Sequence, residues 1–360
     1  KRVGIIGTGA TAVQVVPEIA KTVGELYVFQ RTPSSIDVRD QRATTEEEYA
    51  TWPKEENWAV QRRERLALIS AGRTALQGND DFLSGKVQDF KQRKQHNTEL
   101  SPEELIQRQL NSNFRIMEQI RARVDAIVKD PKTAAALKPY YPYGCKRPTF
   151  HDEYLPSFNL PNVHLVDTAP KGVELINERG IVHDGVEYPL DVLIYATGFV
   201  WMGTGSFNMI TGRGGKTMRE TWEKEGTKTF LGIHASGFPN LFIMNGPQGG
   251  GGQFNFTRVS EMHAHYIAWM MSEMRDRDAK KVDVTAAAQD EFAEHCADMD
   301  ILTSPLRDCI TYYNGDGTAK PGSLAYYGGG QRWHERRMAG QETFEPYLFD
   351  EEGAAVAAAE

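Results

Sequence analysis

Three small residues near the start of the chain have the types and spacing that could hold a pyrophosphate. Gly7, Gly9 and Ala12 form a G-x-G-x-x-A turn between an apolar run and an amphipathic segment. The first glycine permits a tight turn, the second lets the backbone approach the phosphates, and alanine still allows close helix–strand packing. Amides at the start of the helix would face the anion. Residues 26–29 form a second apolar run at the spacing of a βαβ unit, which favours dinucleotide binding over an ordinary turn.

The residues that follow this second run indicate which dinucleotide would bind. A site for NAD carries Asp or Glu about 20 residues after the turn, where it bonds the ribose 2′-hydroxyl. This chain has Gln30, Arg31 and Thr32 at that place. A guanidinium and a hydroxyl suit a 2′-phosphate, so the pattern favours NADPH over NADH. The alternative is that Arg31 is a solvated arginine after a strand.

A second pair of cations, Lys146 and Arg147, lies in the sequence Gly-Cys-Lys-Arg-Pro at residues 144–148. The preceding residues, from 138 onwards, are rich in proline and aromatic side chains, a composition typical of non-helical structure. A loop bounded by prolines can hold two cations in one place. This setting favours a positioned site over a solvated pair on the surface.

Periodicity and capping residues predict the elements that would position these side chains. Apolar runs predict strands at residues 163–166, 180–183, 192–195 and 241–244. A capping box at Thr45, and the pairs Ser101-Pro102 and Asp130-Pro131, predict the starts of helices. A further helix is predicted at residues 258–275. The residues expected on the buried face of the helix that begins near Ser101 are Leu105, Leu110, Phe114, Met117 and Ile120.

Composition bears on several classes of protein. The chain has 360 residues, enough for about two domains, and a net charge of −8 without a basic block, so no nucleic-acid partner is predicted. No apolar run approaches the ~18 residues of a membrane span, and no signal peptide is present, so we expect a cytoplasmic protein. The nine histidines lack metal-ligand spacing, and no metal site is predicted. Cys145, Cys296 and Cys309 form no C-x-x-C pair and are expected to be free thiols.

Five motifs together resemble those of the class B flavoprotein monooxygenases, and among these the Baeyer–Villiger monooxygenases. The resemblance covers most of the chain, from Gly4 to about Tyr347. ATG followed by an aromatic residue is shared by the whole class, whereas the combination of FQRTP, CKRP and ATGF is more specific. The motifs are GTGATA at residues 7–12, FQRTP at 29–33, GCKRP at 144–148, YATGF at 195–199 and NGPQG at 245–249.

This resemblance implies an enzyme that uses NADPH and O2 to convert a ketone into an ester or lactone, through a peroxyflavin formed on FAD. Arg147 would be catalytic, as the fixed cation that stabilises the peroxide and the anionic adduct. Lys146 would hold the NADP 2′-phosphate together with Arg31 and Thr32. The residues implied in binding a cyclic or bulky ketone are Tyr312 and Asn314. The other residues implied in cofactor binding are Gly7, Thr8, Gly9, Ala10, Thr11, Ala12, Gln14, Ala196, Thr197, Gly198, Phe199, Gln253 and Asn255.

The motifs and the resemblance together predict an α/β fold. A Rossmann-type NADPH-binding domain would comprise residues 1–38 and 144–200, with a helical insertion at residues 39–143. Residues 201–347 would form the C-terminal part of an FAD-binding domain. Residues 348–360 are rich in alanine and acidic side chains, and a disordered tail is predicted there.

The chain departs from the family pattern at its start. Members of the family begin with an FAD-binding G-x-G-x-x-G and carry an F-x-G-x-x-x-H fingerprint before the NADPH turn, and neither occurs here. We expect both to lie upstream of Lys1, since the first residue is not Met and a strand begins at once. Two alternatives stay open: an N- or S-oxygenating flavin monooxygenase, which does not require a catalytic arginine, and a non-catalytic NADP-binding protein.

Overall fold

The computed structural model describes residues 1–50, 57–61, 101–199, 205–249, 256–300, 309 and 329–351. The described residues fall into two compact units, one within Lys1–Trp52 and Pro102–Val200 and the other within Pro53–Ser101 and Trp201–Glu360. The strands are β1 (Arg2–Ile6), β2 (Glu25–Gln30), β3 (Ile36–Asp37), β4 (Thr149–Phe150), β5 (Val163–Asp167), β6 (Leu175–Asn177), β7 (Gly180–His183), β8 (Val186–Pro189), β9 (Val192–Tyr195), β10 (Ala279–Val284) and β11 (Tyr347–Glu351). The helices are α1 (Ala10–Ala20), α2 (Glu46–Ala50), α3 (Pro102–Ile127), α4 (Pro131–Leu137), α5 (Tyr154–Ser157), α6 (Gly205–Met209), α7 (Met218–Glu225), α8 (Phe256–Asp276), α9 (Ala286–Asp300) and α10 (Gly329–Thr343). Among these helices, none combines the length and the apolar character needed to cross a membrane.

Four parallel strands form the main sheet of the first unit, in the order β5–β2–β1–β9. Val3 of β1 pairs with Leu26 of β2 on one side and with Val192 of β9 on the other. The chain therefore leaves β1 towards β2 and returns on the opposite side with β9. Parallel strands of this kind need helical crossovers, and α1 supplies the first of them. The predicted α/β fold is confirmed.

Helix α1 and the sheet share a core of apolar side chains. The buried residues of α1 recur at intervals of three or four, which places them on one face of the helix. That face packs against the buried side chains of β1 and β2 in a single cluster. The cluster includes Ala12, Val13, Val16 and Ala20 from α1, and Val3, Ile5, Leu26 and Val28 from the strands.

The turn between β1 and α1 lies against the end of β9. Gly7 has a φ of +107°, a conformation that L side chains rarely adopt, and its amide donates to the Phe29 carbonyl at 3.0 Å. A Cβ added at Gly7 would lie 2.4 Å from the carbonyl oxygen of Ala196. Only glycine adopts this φ readily and also leaves room for the Ala196 carbonyl. Gly7 therefore fixes where α1 begins relative to the sheet.

The helical starts predicted within residues 39–143 are confirmed for the described residues. Asp130 caps α4, since its carboxylate accepts from the Thr133 amide at 2.8 Å. At α2, the Glu48 amide donates to the Thr45 hydroxyl at 3.2 Å while the Thr45 amide donates back to Glu48 at 2.9 Å. Helix α3 begins at Pro102, as predicted.

Of the side chains that the structure describes, the prediction for the buried face of α3 is wrong at Phe114, and the side chain of Leu105 lies outside them. Met117 and Ile120 are buried, but Phe114 is 59% exposed. The buried stripe continues from Ile120 to Val124, so it follows positions 117, 120 and 124 and passes through Asn113. An apolar residue at position 114 lies beside that stripe and outside it, because the helical repeat is 3.6 residues.

Helix α3 anchors a short parallel pair, β3 with β4. The Arg123 guanidinium donates to the carbonyls of Ile36, in β3, at 3.3 Å and His151, just after β4, at 3.2 Å. The pair brings together the two ends of the long segment between β2 and β5, because it joins residues 36–37 to residues 149–150.

An antiparallel meander of β6, β7 and β8 precedes β9. Ile181 of β7 is buried with Phe29 and Val166 from the main sheet. Strands predicted at residues 163–166, 180–183 and 192–195 are therefore confirmed.

The strand predicted at residues 241–244 is wrong, because these residues form irregular structure. The Ile243 amide donates to the Ile233 carbonyl at 2.8 Å, and the Leu241 amide donates to the Phe238 carbonyl at 3.2 Å. Leu241 and Ile243 pack beside buried Met218. The apolar run reflects the packing of half-buried side chains at residues 241–243, without a strand ladder.

The core of the second unit lies between α8, α9, α10 and the antiparallel pair β10–β11. Helix α8 covers the predicted segment 258–275. The largest fully buried side chains of the second unit are Trp333, Tyr266 and Phe292. The Trp333 indole donates to the Leu231 carbonyl at 2.9 Å, which satisfies the one polar atom of that side chain.

The disordered tail predicted at residues 348–360 is wrong for residues 348–351. These residues belong to β11, where Phe349 pairs with Val282 and lies 4.8 Å from the Arg277 guanidinium. Tyr347 and Phe349 lie on one face of the strand and Leu348 and Asp350 on the other. Pairing with β10 keeps these residues extended although acidic residues follow. Residues 352–360 lie outside the described residues.

The prediction of three free thiols is wrong for two of them. Neither Cys145 nor Cys309 is a free thiol, whereas Cys296 is buried in the second unit and is not disulfide-bonded. The sequence has no C-x-x-C spacing that would signal a bonded cysteine, since a disulfide requires proximity in space and not in sequence.

Substitution of Gly7 by alanine should destabilise the protein by roughly 2–4 kcal/mol, because a strained positive φ alone costs about 1–3 kcal/mol and the Cβ would also collide with backbone. Gly9→Ala is the matched control, since a Cβ there meets no atom within 4 Å. It should change the free energy of unfolding by less than about 1 kcal/mol. Chemical denaturation compares the two variants, and equal stability would show that the turn does not depend on Gly7.

Two buried histidines of the second unit make its stability depend on pH. Burial lowers the pKa of His234 to about 3 and that of His263 to about 4. His234 shares a hydrogen bond of 2.8 Å with the Tyr266 hydroxyl, which in turn donates to the Tyr347 hydroxyl at 2.9 Å. The unfolded chain binds protons to these imidazoles at their ordinary pKa of about 6.5, whereas the folded chain does not. Stability is therefore highest above that pH and decreases as the pH falls.

Between about pH 6.5 and pH 4, each buried imidazole should lower the free energy of unfolding by about 1.4 kcal/mol per pH unit. His234→Gln should reduce this slope by about the contribution of one group. Tyr266→Phe is the control, because it removes a hydrogen-bond partner and keeps the imidazole. It should lower stability at every pH without changing the slope, and denaturation series at pH 7.5, 6 and 5 measure both. An unchanged slope in His234→Gln would contradict the assignment.

Candidate functional site: a dinucleotide site at the carboxyl edge of the sheet

The turn after β1 provides open backbone at the start of α1. Gly9 is the N-cap residue of α1, with extended backbone and no side-chain cap. An added Cβ at Gly9 would meet no atom within 4 Å, so the first turn of α1 is approachable on this side. Helix amides without intrahelical partners bind anions, and the helix dipole adds to the attraction. The geometry therefore fits a phosphate group.

The sheet order places this turn at a topological switch point. Strand β1 has β2 on one side and β9 on the other, and the chain reaches them in opposite directions. Dinucleotides bind in the crevice at the carboxyl ends of such strands. The segments at those ends are Gly7–Gly9 after β1, Arg31–Thr32 after β2 and Ala196–Phe199 after β9.

Thr8 joins the glycine turn to the segment after β2. Its hydroxyl donates to the Thr32 carbonyl at 2.7 Å, and its own carbonyl accepts from the Ser34 hydroxyl at 2.5 Å. Thr8 is buried, so its side chain positions the turn and its hydroxyl proton is already donated. Thr32 is half-buried and Arg31 is exposed.

The other predicted cofactor residues of α1 differ in accessibility. Thr11 and Gln14 are exposed, Ala10 is half-buried and Ala12 is fully buried. The Gln14 side-chain amide donates to the Ala10 carbonyl at 2.8 Å. Ala12 therefore serves packing, as the third position of the turn requires.

The loop that carries Lys146 and Arg147 is tied to the segment after Thr32. The Tyr141 hydroxyl donates to the Pro33 carbonyl at 2.8 Å and accepts from the Ser35 amide at 3.1 Å. At the far end of the loop, Thr149 donates to the Ser35 carbonyl from its amide at 3.1 Å and its hydroxyl at 2.8 Å.

The two cations of that loop differ in exposure. Lys146 is half-buried, with its ammonium 5.7 Å from the centre of the Tyr141 ring. A cation over an aromatic face is attracted by the ring quadrupole. Arg147 is exposed, so its guanidinium can contact a bound molecule. Burial raises the pKa of Tyr141 to about 12, which keeps this anchor a neutral hydrogen-bonding phenol.

Three of the four residues after β9 are exposed, and the first, Ala196, is half-buried. Ala196 donates its amide to the Ile6 carbonyl at 2.9 Å, which sets it beside the glycine turn. Gly198 has a φ of +90°, and Phe199 is 96% exposed. Thr197 is exposed as well. Four residues predicted in binding lie outside the described residues: Gln253, Asn255, Tyr312 and Asn314.

One cluster of ionisable groups lies away from this edge. On the β6–β8 meander, Nδ1 of buried His183 is 3.7 Å from Glu174, and its Nε2 is 3.9 Å from Asp184. The three side chains offer ligand atoms within 4.8 Å of one another. Each imidazole nitrogen faces a different carboxylate.

Sequence reasoning missed three side chains that hold the loop: Asn113, Arg121 and Tyr141. Arg121 donates to the Pro139 carbonyl at 2.8 Å. Asn113 donates to the Tyr143 carbonyl at 2.8 Å and accepts from the Tyr143 amide at 2.7 Å. The one available signal was a polar Asn113 on the apolar stripe of α3.

Comparison with known proteins gives a consistent result. No protein-family model matches the chain. A Baeyer–Villiger monooxygenase of Streptomyces coelicolor is 38% identical over 352 residues, which cover 93% of this chain and 56% of that protein. The structure of polycyclic ketone monooxygenase from Thermothelomyces thermophila is 35% identical with a TM-score of 0.82, covering 98% of this chain and 59% of that one. A structure of OTEMO with FAD and NADP is 27% identical with a TM-score of 0.74, covering 97% of this chain and 67% of that one.

The chain spans about half the length of the curated relatives that it matches, 54% and 56% in two of them. The matches nevertheless extend over nearly all of this chain, and they include both described units. By sequence and by fold, the chain is a homologue of the Baeyer–Villiger monooxygenases.

Proposed function

We propose that the complete protein is a Baeyer–Villiger monooxygenase that uses NADPH, FAD and O2 to convert a ketone into an ester or lactone. The observation that carries this proposal is the link between the glycine turn and the loop of Lys146 and Arg147. Thr8 ties the turn to Thr32, and Tyr141 ties the loop to Pro33, the next residue. An anion-binding helix start and two cationic segments are thereby held at one edge of the sheet.

NADPH fits this edge in its charge and in its shape. The pyrophosphate would lie against Gly9 and the first turn of α1, where a Cβ meets no atom. Arg31 and Lys146 would neutralise the 2′-phosphate, with Thr32 as a polar neighbour. Arginine binds phosphate through a planar fork of donors, and lysine binds it as a point charge.

FAD is proposed for the complete protein because a related structure holds FAD together with NADP. A bound flavin would supply electron transfer and the activation of O2. The proposed domain division assigns residues 1–38 and 144–200 to NADPH binding, 39–143 to a helical insertion and 201–347 to the C-terminal part of an FAD-binding domain.

Arg147 is the proposed catalytic residue. Addition of an oxygen nucleophile to a ketone carbonyl places negative charge on the former carbonyl oxygen. An exposed guanidinium, held on a loop with several anchors, can stabilise that charge without reorganising at the moment of reaction. The substrate is proposed to be a cyclic or bulky ketone, in keeping with a relative named polycyclic ketone monooxygenase.

Removal of the cations proposed to bind the 2′-phosphate should weaken the binding of NADPH far more than that of NADH. Arg31→Ala and Lys146→Ala should each raise KM for NADPH by roughly 10- to 100-fold, since a hydrogen bond to a charged group contributes about 1.5–3 kcal/mol. KM for NADH should change much less. Lys132→Ala, at an exposed lysine of α4, is the control and should change neither value. Equal effects on NADPH and NADH would show that Arg31 and Lys146 do not contact the 2′-phosphate.

Arg147→Ala should lower ester formation by roughly 10²–10³-fold, the usual cost of losing one preorganised donor. The complete protein with this substitution should still consume NADPH and release hydrogen peroxide, because reduction of the cofactor does not require this side chain. Arg147→Lys should restore little activity, as it lacks the planar fork. The measurement is ester formed per NADPH consumed.

A wild-type ratio in Arg147→Ala would contradict the catalytic role. Oxygenation of an amine or sulfide by the wild-type complete protein, with no ester formed from a ketone, would favour an N- or S-oxygenating enzyme. Absence of any NADPH oxidation in the wild-type complete protein, with NADPH still bound, would favour a non-catalytic binding protein.

A further inference from the structure

Asn113 forms a closed pair of hydrogen bonds with the backbone of one residue in the loop. Its side-chain amide donates to the Tyr143 carbonyl at 2.8 Å, and its side-chain oxygen accepts from the Tyr143 amide at 2.7 Å. One asparagine thus satisfies both main-chain groups of Tyr143, as a neighbouring strand would. Such a pair fixes the orientation of the peptide as well as its position.

The place of Asn113 on α3 shows that packing alone does not account for it. The buried stripe of α3 contains Met117, Ile120 and Val124, each 1% exposed. Asn113 lies one turn before Met117 on the same face, where the helical repeat calls for an apolar side chain. The polar side chain at this position has its hydrogen-bond partners in the backbone of Tyr143.

The loop between residues 139 and 151 has anchors on both sides of the cations. Arg121 of α3 holds Pro139, and Arg123 of α3 holds His151. Tyr143, which Asn113 holds, precedes Arg147 by four residues, and His151, which Arg123 holds, follows Arg147 by four. Gly144, with a φ of +88°, follows Tyr143 directly and turns the chain towards the cations.

We propose that Asn113 is a positioning residue, which sets the place of Arg147 by holding the backbone of Tyr143. The inference rests on the proposed function, because it assigns a role in oxygen transfer through Arg147. It gives helix α3, within the helical insertion, a direct part in the geometry of the site. A displacement of about 1 Å in a reacting group can cost about 10²-fold in rate, so a released loop should be catalytically poor even if it stays folded.

The main variant is Asn113→Leu in the complete protein. Leucine has a similar size, extends the apolar stripe and removes both hydrogen bonds, so α3 should keep its packing. Ester formed per NADPH consumed should fall by roughly 10- to 100-fold. Asn113→Asp keeps the bond from the Tyr143 amide and loses the donor to its carbonyl, so its loss should be intermediate. It also serves as the second variant if Asn113→Leu folds poorly.

Asn111→Leu is the matched control, with the same substitution on the same helix. Asn111 is exposed, and its side-chain oxygen accepts from Gln107 at 2.9 Å, also on α3. This variant should leave the ester-to-NADPH ratio unchanged. A comparable loss at position 111 would show a general effect on α3 and overturn the positioning role.

A double variant tests whether Asn113 acts through Arg147. If it does, Asn113→Leu should cause no further loss of ester formation once Arg147 is alanine. An equal loss in both backgrounds, or no loss in the wild-type background, would overturn the inference. Failure of the proposed function is distinguishable, because then Arg147→Ala itself would leave the ratio unchanged.

Discussion

The close approach of β1 to β9 is the constraint on which the first unit depends. Gly7 turns at a positive φ directly against the Ala196 carbonyl, and no side chain fits between them. This contact sets the starting point of α1 above the sheet and leaves Gly9 at the edge with its backbone accessible. The same contact brings the end of β9 to the turn. The main sheet and the candidate site therefore both require that position 7 carry no side chain.

The part of the loop that carries Arg147, residues 139–148, has no strand or helix of its own, and hydrogen bonds to other elements hold it. Tyr141 links it to the segment after β2, while Asn113 and Arg121 link it to α3. Buried backbone polar groups must find partners, and side chains supply them here in place of a regular ladder. A loop held in this way can present cations to solvent and still keep them in place.

Local patterns predicted what depends on neighbours in sequence. The β1–α1–β2 unit and the caps at Thr45 and Asp130 follow from residues a few positions apart. The errors involve partners far along the chain. Residues 241–243 are apolar because they pack, half-buried, against the core, and residues 348–351 form a strand because β10 lies beside them. The anchors of the loop were missed for the same reason, since Asn113 and Tyr143 are separated by 30 positions.

The candidate site concentrates positive charge in an acidic chain. The net charge is −8, yet Arg31, Lys146 and Arg147 lie on segments tied to one edge of the sheet, beside the positive end of α1. Like charges repel, so placing these cations together is unfavourable unless something anionic binds there. The repulsion is opposed by hydrogen bonds from Thr8, Tyr141 and the helical insertion, which hold the segments whether or not a ligand is bound. A phosphorylated cofactor would relieve this repulsion. The same arrangement of charges therefore lowers the stability of the edge without a ligand and raises its affinity for phosphate.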